Sequence, residues 1–147
     1  EMTSSLVGSE MCIRDRDEPT TGLDPEERIR IRNLLVEFAV GRTVLFSTHV
    51  VEDLAATCSQ LTVLKKGKML YSGSVKELLK RAEGHTWICR MEEAQVRSLE
   101  QKYRVSSKQI QEDGMTVRVI SPEKPDVPCS PAKVTLEDAY IYVSNFQ

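Results

Sequence analysis

Three short stretches of this chain carry residue types that can do chemistry together. The first is Asp17-Glu18-Pro19-Thr20. Two adjacent carboxylates at a strand end can divide labour, one coordinating Mg2+ directly or through water and the other polarising an attacking water. Successive strand side chains point to opposite faces, so both can serve one site only if the chain turns there, and Pro19 is the expected turn. Taken alone, the dipeptide is better read as a solvated acidic turn. The second stretch, Gly22-Leu23-Asp24-Pro25, is by itself a helix N-cap. The third, Ser47-Thr48-His49, puts a histidine just past the end of an apolar strand. A lone histidine is more often structural than catalytic, but at a strand's carboxyl end it can contact a phosphate or orient a water.

The elements that must position these residues are legible. Asp24-Pro25-Glu26-Glu27 is a helix start: an N-cap, proline at the first helical position, then acids at the positive helix end. Ile31, Leu34, Leu35 and Phe38 follow at helical spacing and predict one buried face, with Gly41 ending the helix. Thr43–Thr48 is a nearly continuous apolar run that predicts a strand buried on both faces. A second helix from about Val50 is expected to bury Val51, Leu54, Ala55 and Cys58. Gln60–Lys65 and Lys68–Ser72 predict a hairpin turning at Lys66-Gly67. Ser74-Val75-Lys76-Glu77 is a capping box opening a helix that carries Val75, Leu78 and Leu79. Strand, helix, strand in this order implies an open parallel sheet with helices on its faces.

The character changes near Arg81–Gly84. Beyond it the pattern predicts a strand (His85–Arg90), a helix (Glu92–Tyr103), a hairpin turning at Asp113-Gly114, and a loop with prolines at 122, 125, 128 and 131. A final helix opens with the capping box Thr135-Leu136-Glu137-Asp138. Its face of Leu136, Ala139, Tyr140, Val143 and Phe146 is expected to pack on something.

The bulk numbers set outer bounds. At 147 residues, 40% hydrophobic, 29% charged and net charge −2, the composition is that of an ordinary globular protein. That charge gives no electrostatic case for a nucleic-acid or anionic-membrane partner. Apolar runs fall far short of the ~20 residues of a bilayer span, and no secretory signal opens the chain. The four cysteines, Cys12, Cys58, Cys89 and Cys129, form no CxxC, so scattered reduced thiols of a cytosolic protein are the preferred reading over a metal cluster.

Together the three stretches are far more specific than singly. DEPTTGLDP, an amphipathic helix, a strand and STH resemble the second half of an ATP-binding-cassette (ABC) ATPase domain, from Asp17 to about Leu79. The resemblance implies that Asp17 is the Walker B aspartate that helps hold Mg2+, and Glu18 the catalytic glutamate acting on the attacking water. Gly22, Leu23, Asp24 and Pro25 would form the D-loop across the interface between two such domains. His49 would be the H-loop switch histidine that senses the γ-phosphate of ATP. GKMLYSG resembles the family's following hairpin and SVKELL the helix after it. The tail ending TLEDAYIYV resembles, more loosely, the C-terminal appendage of ATPases from bacterial exporters of drugs, lipids or polysaccharides.

The implied fold is α/β: part of a P-loop NTPase-type parallel sheet with helices over 17–82, then a small α+β unit over 85–147. The chain contains no GxxxxGK(S/T) phosphate loop, no LSGGQ-like signature and no Q-loop glutamine, all of which precede the acidic pair in this family. Only 16 residues precede it here, and they show neither helical nor strand periodicity. Arg14, Asp15 and Arg16 stand where an apolar strand is expected, and unpaired charges at sheet-core positions cost several kcal/mol. LVGSEMCIRDR, residues 6–16, resembles the conceptual translation of a transposon-end adapter used in sequencing libraries. Residues 1–16 are accordingly expected to be non-native.

The resemblance therefore implies a fragment of a bacterial ABC transporter's ATP-hydrolysing subunit, of exporter type, inactive by itself. Its partners would be a transmembrane permease and a second ABC ATPase domain, its cofactors ATP and Mg2+, and its place the cytoplasmic face of the plasma membrane. Alternatives are a catalytically dead interaction module and a non-transport ABC ATPase.

Overall fold

The computed structural model describes residues 13–146, with side chains from Asp17 onward. The expectation of a non-native N-terminus falls on residues largely outside that range, as do the Arg14, Asp15 and Arg16 side chains. The chain is mixed α/β and groups into two compact units, one running to Cys58 and the other starting at Ser59. The compositional change near Arg81–Gly84 falls inside the second. No described helix is long and apolar enough to cross a membrane.

The first unit holds β1 (Ile13–Asp17), α1 (Pro25–Phe38), β2 (Thr43–Ser47) and α2 (Val51–Thr57). β1 and β2 pair in parallel, with Ile13 opposite Thr43 and Asp17 opposite Ser47. A strand thus occupies part of a stretch whose side-chain pattern shows no strand period, because backbone pairing with β2 needs no particular side chains. Asp24 caps α1 as expected: its carboxylate accepts from the Glu27 N–H at 2.9 Å and Pro25 stands at the first helical position.

Burial in this unit departs from the sequence pattern. β2 alternates exposed and half-buried residues along its length, and Leu45 is 59% exposed. An apolar run that suits a doubly covered strand thus leaves the face of Thr43, Leu45 and Ser47 exposed. On α1, Leu35 is buried, Ile31 and Leu34 are half-buried, and Phe38 at its end is exposed. On α2 the buried residue is Asp53, whereas Val51, Leu54 and Cys58 are half-buried and Ala55 is exposed.

The second unit opens with the hairpin of β3 (Gln60–Lys65) and β4 (Lys68–Ser74). Lys66 (φ 50°) and Gly67 (φ 75°) both take left-handed backbone, the geometry of the two-residue turn whose twist matches the flanking strands. α3 (Val75–Ala82) starts with the predicted capping box between Ser74 and Glu77. β5 (Thr86–Met91), α4 (Glu93–Lys102), β6 (Arg104–Gln111), β7 (Gly114–Ile120), β8 (Cys129–Pro131) and α5 (Leu136–Phe146) follow. The antiparallel sheet has the order β6-β7-β5-β8, with β8 a short strand inside the predicted proline loop.

One face of the sheet packs Cys89, Val117 and Val119 against Val96 and Leu99 of α4. Strand alternation puts Arg118 on the opposite face, where α5 lies across β6 and β7 and also packs on α3. α5 buries Leu136, Ala139, Tyr142 and Val143. Tyr142, which the sequence pattern does not single out, stacks on His85 at 4.6 Å between ring centroids, while the expected Tyr140 and Phe146 are exposed.

The polar anchor of α5 is Asp138, which is buried. It accepts from Arg118 through Nε at 3.0 Å and Nη2 at 2.6 Å and from the Thr135 N–H at 2.8 Å. Thr135 Oγ1 in turn accepts from the Asp138 N–H at 3.2 Å, closing the predicted capping box. Arg118 also donates to the Lys133 carbonyl. Burial alone would raise the Asp138 pKa, but hydrogen bonds from Arg118 and Thr135 outweigh it and hold the carboxyl below its ordinary value.

Two outcomes follow for unfolding of the second unit. Arg118→Ala strands Asp138 as a buried, unpaired carboxylate and should cost about 3 kcal/mol, read from urea denaturation at neutral pH. A carboxyl with a lowered folded-state pKa stabilises above its unfolded value, and that contribution is lost as pH falls through the folded one. The wild-type chain should therefore weaken from about pH 4 downward, with a flatter acid limb in Arg118→Ala. Superimposable acid limbs would refute the role given to this pair.

Candidate active site

The first unit gathers the sequence-nominated residues at the carboxyl ends of β1 and β2. Asp17 and Ser47 are register partners, and the Ser47 hydroxyl donates to Asp17 Oδ1. The Glu18 N–H extends the pairing by one step to the Ser47 carbonyl at 2.8 Å. The chain then turns at Glu18 itself, whose φ is 46°. Left-handed backbone is uncommon outside glycine; here it cancels strand alternation one residue earlier than Pro19 was expected to. Both carboxylates consequently serve the same strand ends.

Glu18 is held from three directions. Oε1 accepts from the His49 backbone N–H at 3.0 Å and from His49 Nδ1 at 2.8 Å; Oε2 accepts from the Thr21 hydroxyl at 3.0 Å. The His49 ring bond is the main cause of a Glu18 pKa below the ordinary glutamate value; desolvation opposes it, and Thr21 and the His49 charge and backbone add to it. Glu18 is thus a carboxylate at neutral pH. An ionised carboxylate only accepts, so His49 Nδ1 carries the proton in this contact and Nε2 is left for another partner. His49 is largely exposed, its side chain at 73%.

Behind these residues lies a pair that the sequence does not announce. Thr20 and Asp53 are both buried, and Thr20 Oγ1 donates to Asp53 Oδ2 at 2.5 Å. Among the described residues Asp53 Oδ1 makes no hydrogen bond, but Arg32 Nη1 approaches it to 3.6 Å and supplies charge. This contact ties the turn after Glu18 to α1 and α2. The signal available was an aspartate in the first turn of α2, which reads as an ordinary favourable charge at a helix start.

From Thr20 the chain makes successive tight turns, with Thr21 N–H to Glu18 O at 3.2 Å and Leu23 N–H to Thr20 O at 3.4 Å. Gly22 at φ 76° provides the left-handed step. Gly22, Asp24 and Pro25 are exposed and Leu23 is half-buried. Beside Asp17, a cleft of about 290 Å3 is lined by Pro19 and the apolar Ile31, Leu34, Leu35, Phe38 and Val44. It includes neither Glu18 nor His49.

Among the described residues no three His, Cys, Asp or Glu side chains stand together as a ready metal site. Asp17 offers one exposed carboxylate with Oδ1 engaged by Ser47. That donor set fits Mg2+, which keeps several waters and is commonly bound through one or two carboxylates plus substrate phosphates.

No family model matches the chain. Curated relatives do. It is 36% identical over 70 residues to an uncharacterised ABC transporter ATP-binding protein of Synechocystis, covering 47% of this chain and 20% of that one. It is 32% identical over 91 residues to an uncharacterised ABC transporter ATP-binding protein of Bacillus subtilis, 62% of this chain and 31% of the other. It is 39% identical over 72 residues to the Nod factor export ATP-binding protein I of Burkholderia thailandensis, 46% and 23%. The matched segment is therefore homologous to part of ABC transporter ATP-binding proteins, exporters among them. The chain spans about a fifth to a third of these relatives' length.

Two measurements check the geometry. In a carboxyl NMR titration, His49→Ala should move the Glu18 pKa upward toward the ordinary value; an unchanged pKa would remove His49 from the site. Thr20→Val leaves Asp53 buried without its hydrogen bond and should cost about 2 kcal/mol in the first unit, followed by hydrogen exchange of the α2 amides.

Proposed function

We propose that this chain carries the hydrolytic half of a nucleotide site in an ABC transporter ATP-binding subunit of exporter type. The observation that carries the reading is the Glu18–His49 bond at 2.8 Å, made at the same strand ends as the Asp17–Ser47 contact. On this reading β1 and β2 are neighbouring strands of a P-loop NTPase-type parallel sheet. The proposed organisation is an ATPase part over 17–82 and an α+β appendage over 85–147.

Each residue then has a role its environment suits. Asp17, oriented by Ser47, holds Mg2+ directly or through water. Glu18, kept ionised by His49 and Thr21, polarises the attacking water and takes its proton. His49 bonds Glu18 before nucleotide binds and can turn to a phosphate oxygen afterwards. While Nδ1 donates to Glu18, Nε2 can meet a phosphate oxygen as a donor only if the ring is protonated. Gly22, Leu23, Asp24 and Pro25 form the D-loop and meet a second ATPase domain. ATP and Mg2+, when bound, supply the scissile phosphoanhydride and the Lewis acid. The phosphate-cradling glycine loop is not among these residues, so the isolated chain is proposed to bind ATP weakly or not at all.

Coupling to transport would come through a transmembrane permease, with the subunit at the cytoplasmic side of a bacterial plasma membrane. Its relatives' names, a Nod factor export protein among them, support an export direction. The test is a transplant of residues 17–58 into the corresponding segment of the Bacillus subtilis relative. The chimera should hydrolyse ATP, and Glu18→Gln should lower kcat at least about 100-fold while leaving ATP binding intact. A chimera that binds ATP and hydrolyses it equally well with the Glu18→Gln substitution in place would end the assignment.

A further inference from the structure

Cys89 of β5 and Cys129 of β8 are register partners, as are Ile88 with Ser130 and Trp87 with Pro131. One step beyond, the Ala132 N–H donates to the Thr86 carbonyl at 2.9 Å. Hydrogen-bonded and non-hydrogen-bonded pairs alternate along an antiparallel ladder. Thr86–Ala132 is bonded, so Trp87–Pro131 is not, as a proline without an N–H requires. Two steps on, Cys89–Cys129 is again a non-hydrogen-bonded pair. Such pairs hold their Cα atoms about 4.5 Å apart, inside the roughly 4.4–6.8 Å window of disulfides.

The side chains agree with this spacing. Cys89 is buried among Val96, Leu99, Val117 and Val119, and Cys129 packs against the same cluster while half-buried. Burial, then the charge and thiol hydrogen bond of Cys129, pushes the Cys89 pKa up to about 12. Both thiols are reduced in this structure.

We propose that Cys89 and Cys129 are a redox modification site, closing to a reversible cross-strand disulfide by exchange with a low-molecular-weight disulfide such as oxidised glutathione. Cys129, the more accessible thiol, loses its proton to solvent and attacks one sulfur of the small disulfide. That S–S bond breaks and one small thiolate leaves. Cys89 then gives up its proton, attacks the Cys129 sulfur and expels the second small thiolate, and the two released protons neutralise the two leaving groups. The protein loses two electrons and the small disulfide gains them.

The bond would fasten the sheet's shortest strand. β8 has three residues, lies at the sheet edge and follows a loop with Pro122, Pro125 and Pro128. Oxidation therefore latches that loop to β5, independently of any nucleotide chemistry in the first unit.

The experiment uses the full chain with Cys12→Ser and Cys58→Ser, equilibrated in a glutathione redox buffer and followed by intact mass and peptide mapping. The expected product has lost two hydrogens, carries no glutathione, and yields one peptide pair linked through Cys89 and Cys129. Its thermal midpoint should rise by at least about 5 °C and return on reduction. Cys89→Ala should trap glutathione on Cys129. Should that variant fail to fold, Cys129→Ser serves instead, and Cys89 should then stay unmodified. A chain that accumulates glutathione on Cys129 while Cys89 remains a thiol overturns the proposal. So does one that links its cysteines only between molecules.

Discussion

The parallel pairing of β1 with β2 is the constraint on which the candidate site depends. Asp17 and Ser47 are 30 residues apart in the chain and Glu18 and His49 are 31 apart, yet each pair meets because two strands end at the same level. Parallel strands need a crossover, and α1 supplies it between them. The Glu18 N–H to Ser47 O bond carries the ladder one residue past Asp17. Left-handed backbone at Glu18 then bends the chain away. Without that reversal, strand alternation would send Glu18 to the opposite face from Asp17. Backbone pairing brings the groups together, and one unusual dihedral aims them.

The turn that follows is held from below. The Thr20 hydroxyl reaches the buried Asp53, which Arg32 partly compensates. A buried carboxylate with one hydrogen bond and a cation at 3.6 Å is an expensive arrangement, and it connects the acidic turn, α1 and α2 at a single point. The second unit uses the same device more completely. Asp138 there collects donors from Arg118, Thr135 and Ser106, and the helix it anchors covers the sheet face opposite α4.

What the sequence disclosed and what it hid separate along physical lines. Features fixed by a few neighbouring residues were legible: the Asp24 cap with Pro25, the capping boxes at Ser74 and Thr135, and the Lys66-Gly67 turn. That Asp17, Glu18 and His49 belong together was legible only as a constellation, since each has a bland reading alone. Features that depend on distant partners were not. Thr43–Thr48 reads as a doubly buried strand, because an apolar run records suitability for burial and not the presence of a cover. Asp53 reads as a helix-start acid, because its partners Thr20 and Arg32 are 33 and 21 positions away. Tyr140 and Tyr142 are interchangeable by composition, and only the stacking on His85 decides between them.

The three donors on Glu18 pull against the role proposed for it. They guarantee the ionised form that a base needs, but a carboxylate satisfied by His49 and Thr21 has its proton affinity lowered, and a general base works best with a pKa near the operating pH. On the proposed reading, the arrangement is therefore a resting one. The covalent frame allows its release: His49 is largely exposed at the end of β2, and only its side chain has to rotate for Oε1 to lose the ring bond. The backbone N–H of His49 and the Thr21 hydroxyl would keep the carboxylate in place. A histidine that leaves Glu18 for a phosphate oxygen would raise the carboxylate's basicity at the moment nucleotide arrives. On that reading, the bond that fixes Glu18 in the absence of substrate would also be the means of tuning it in its presence.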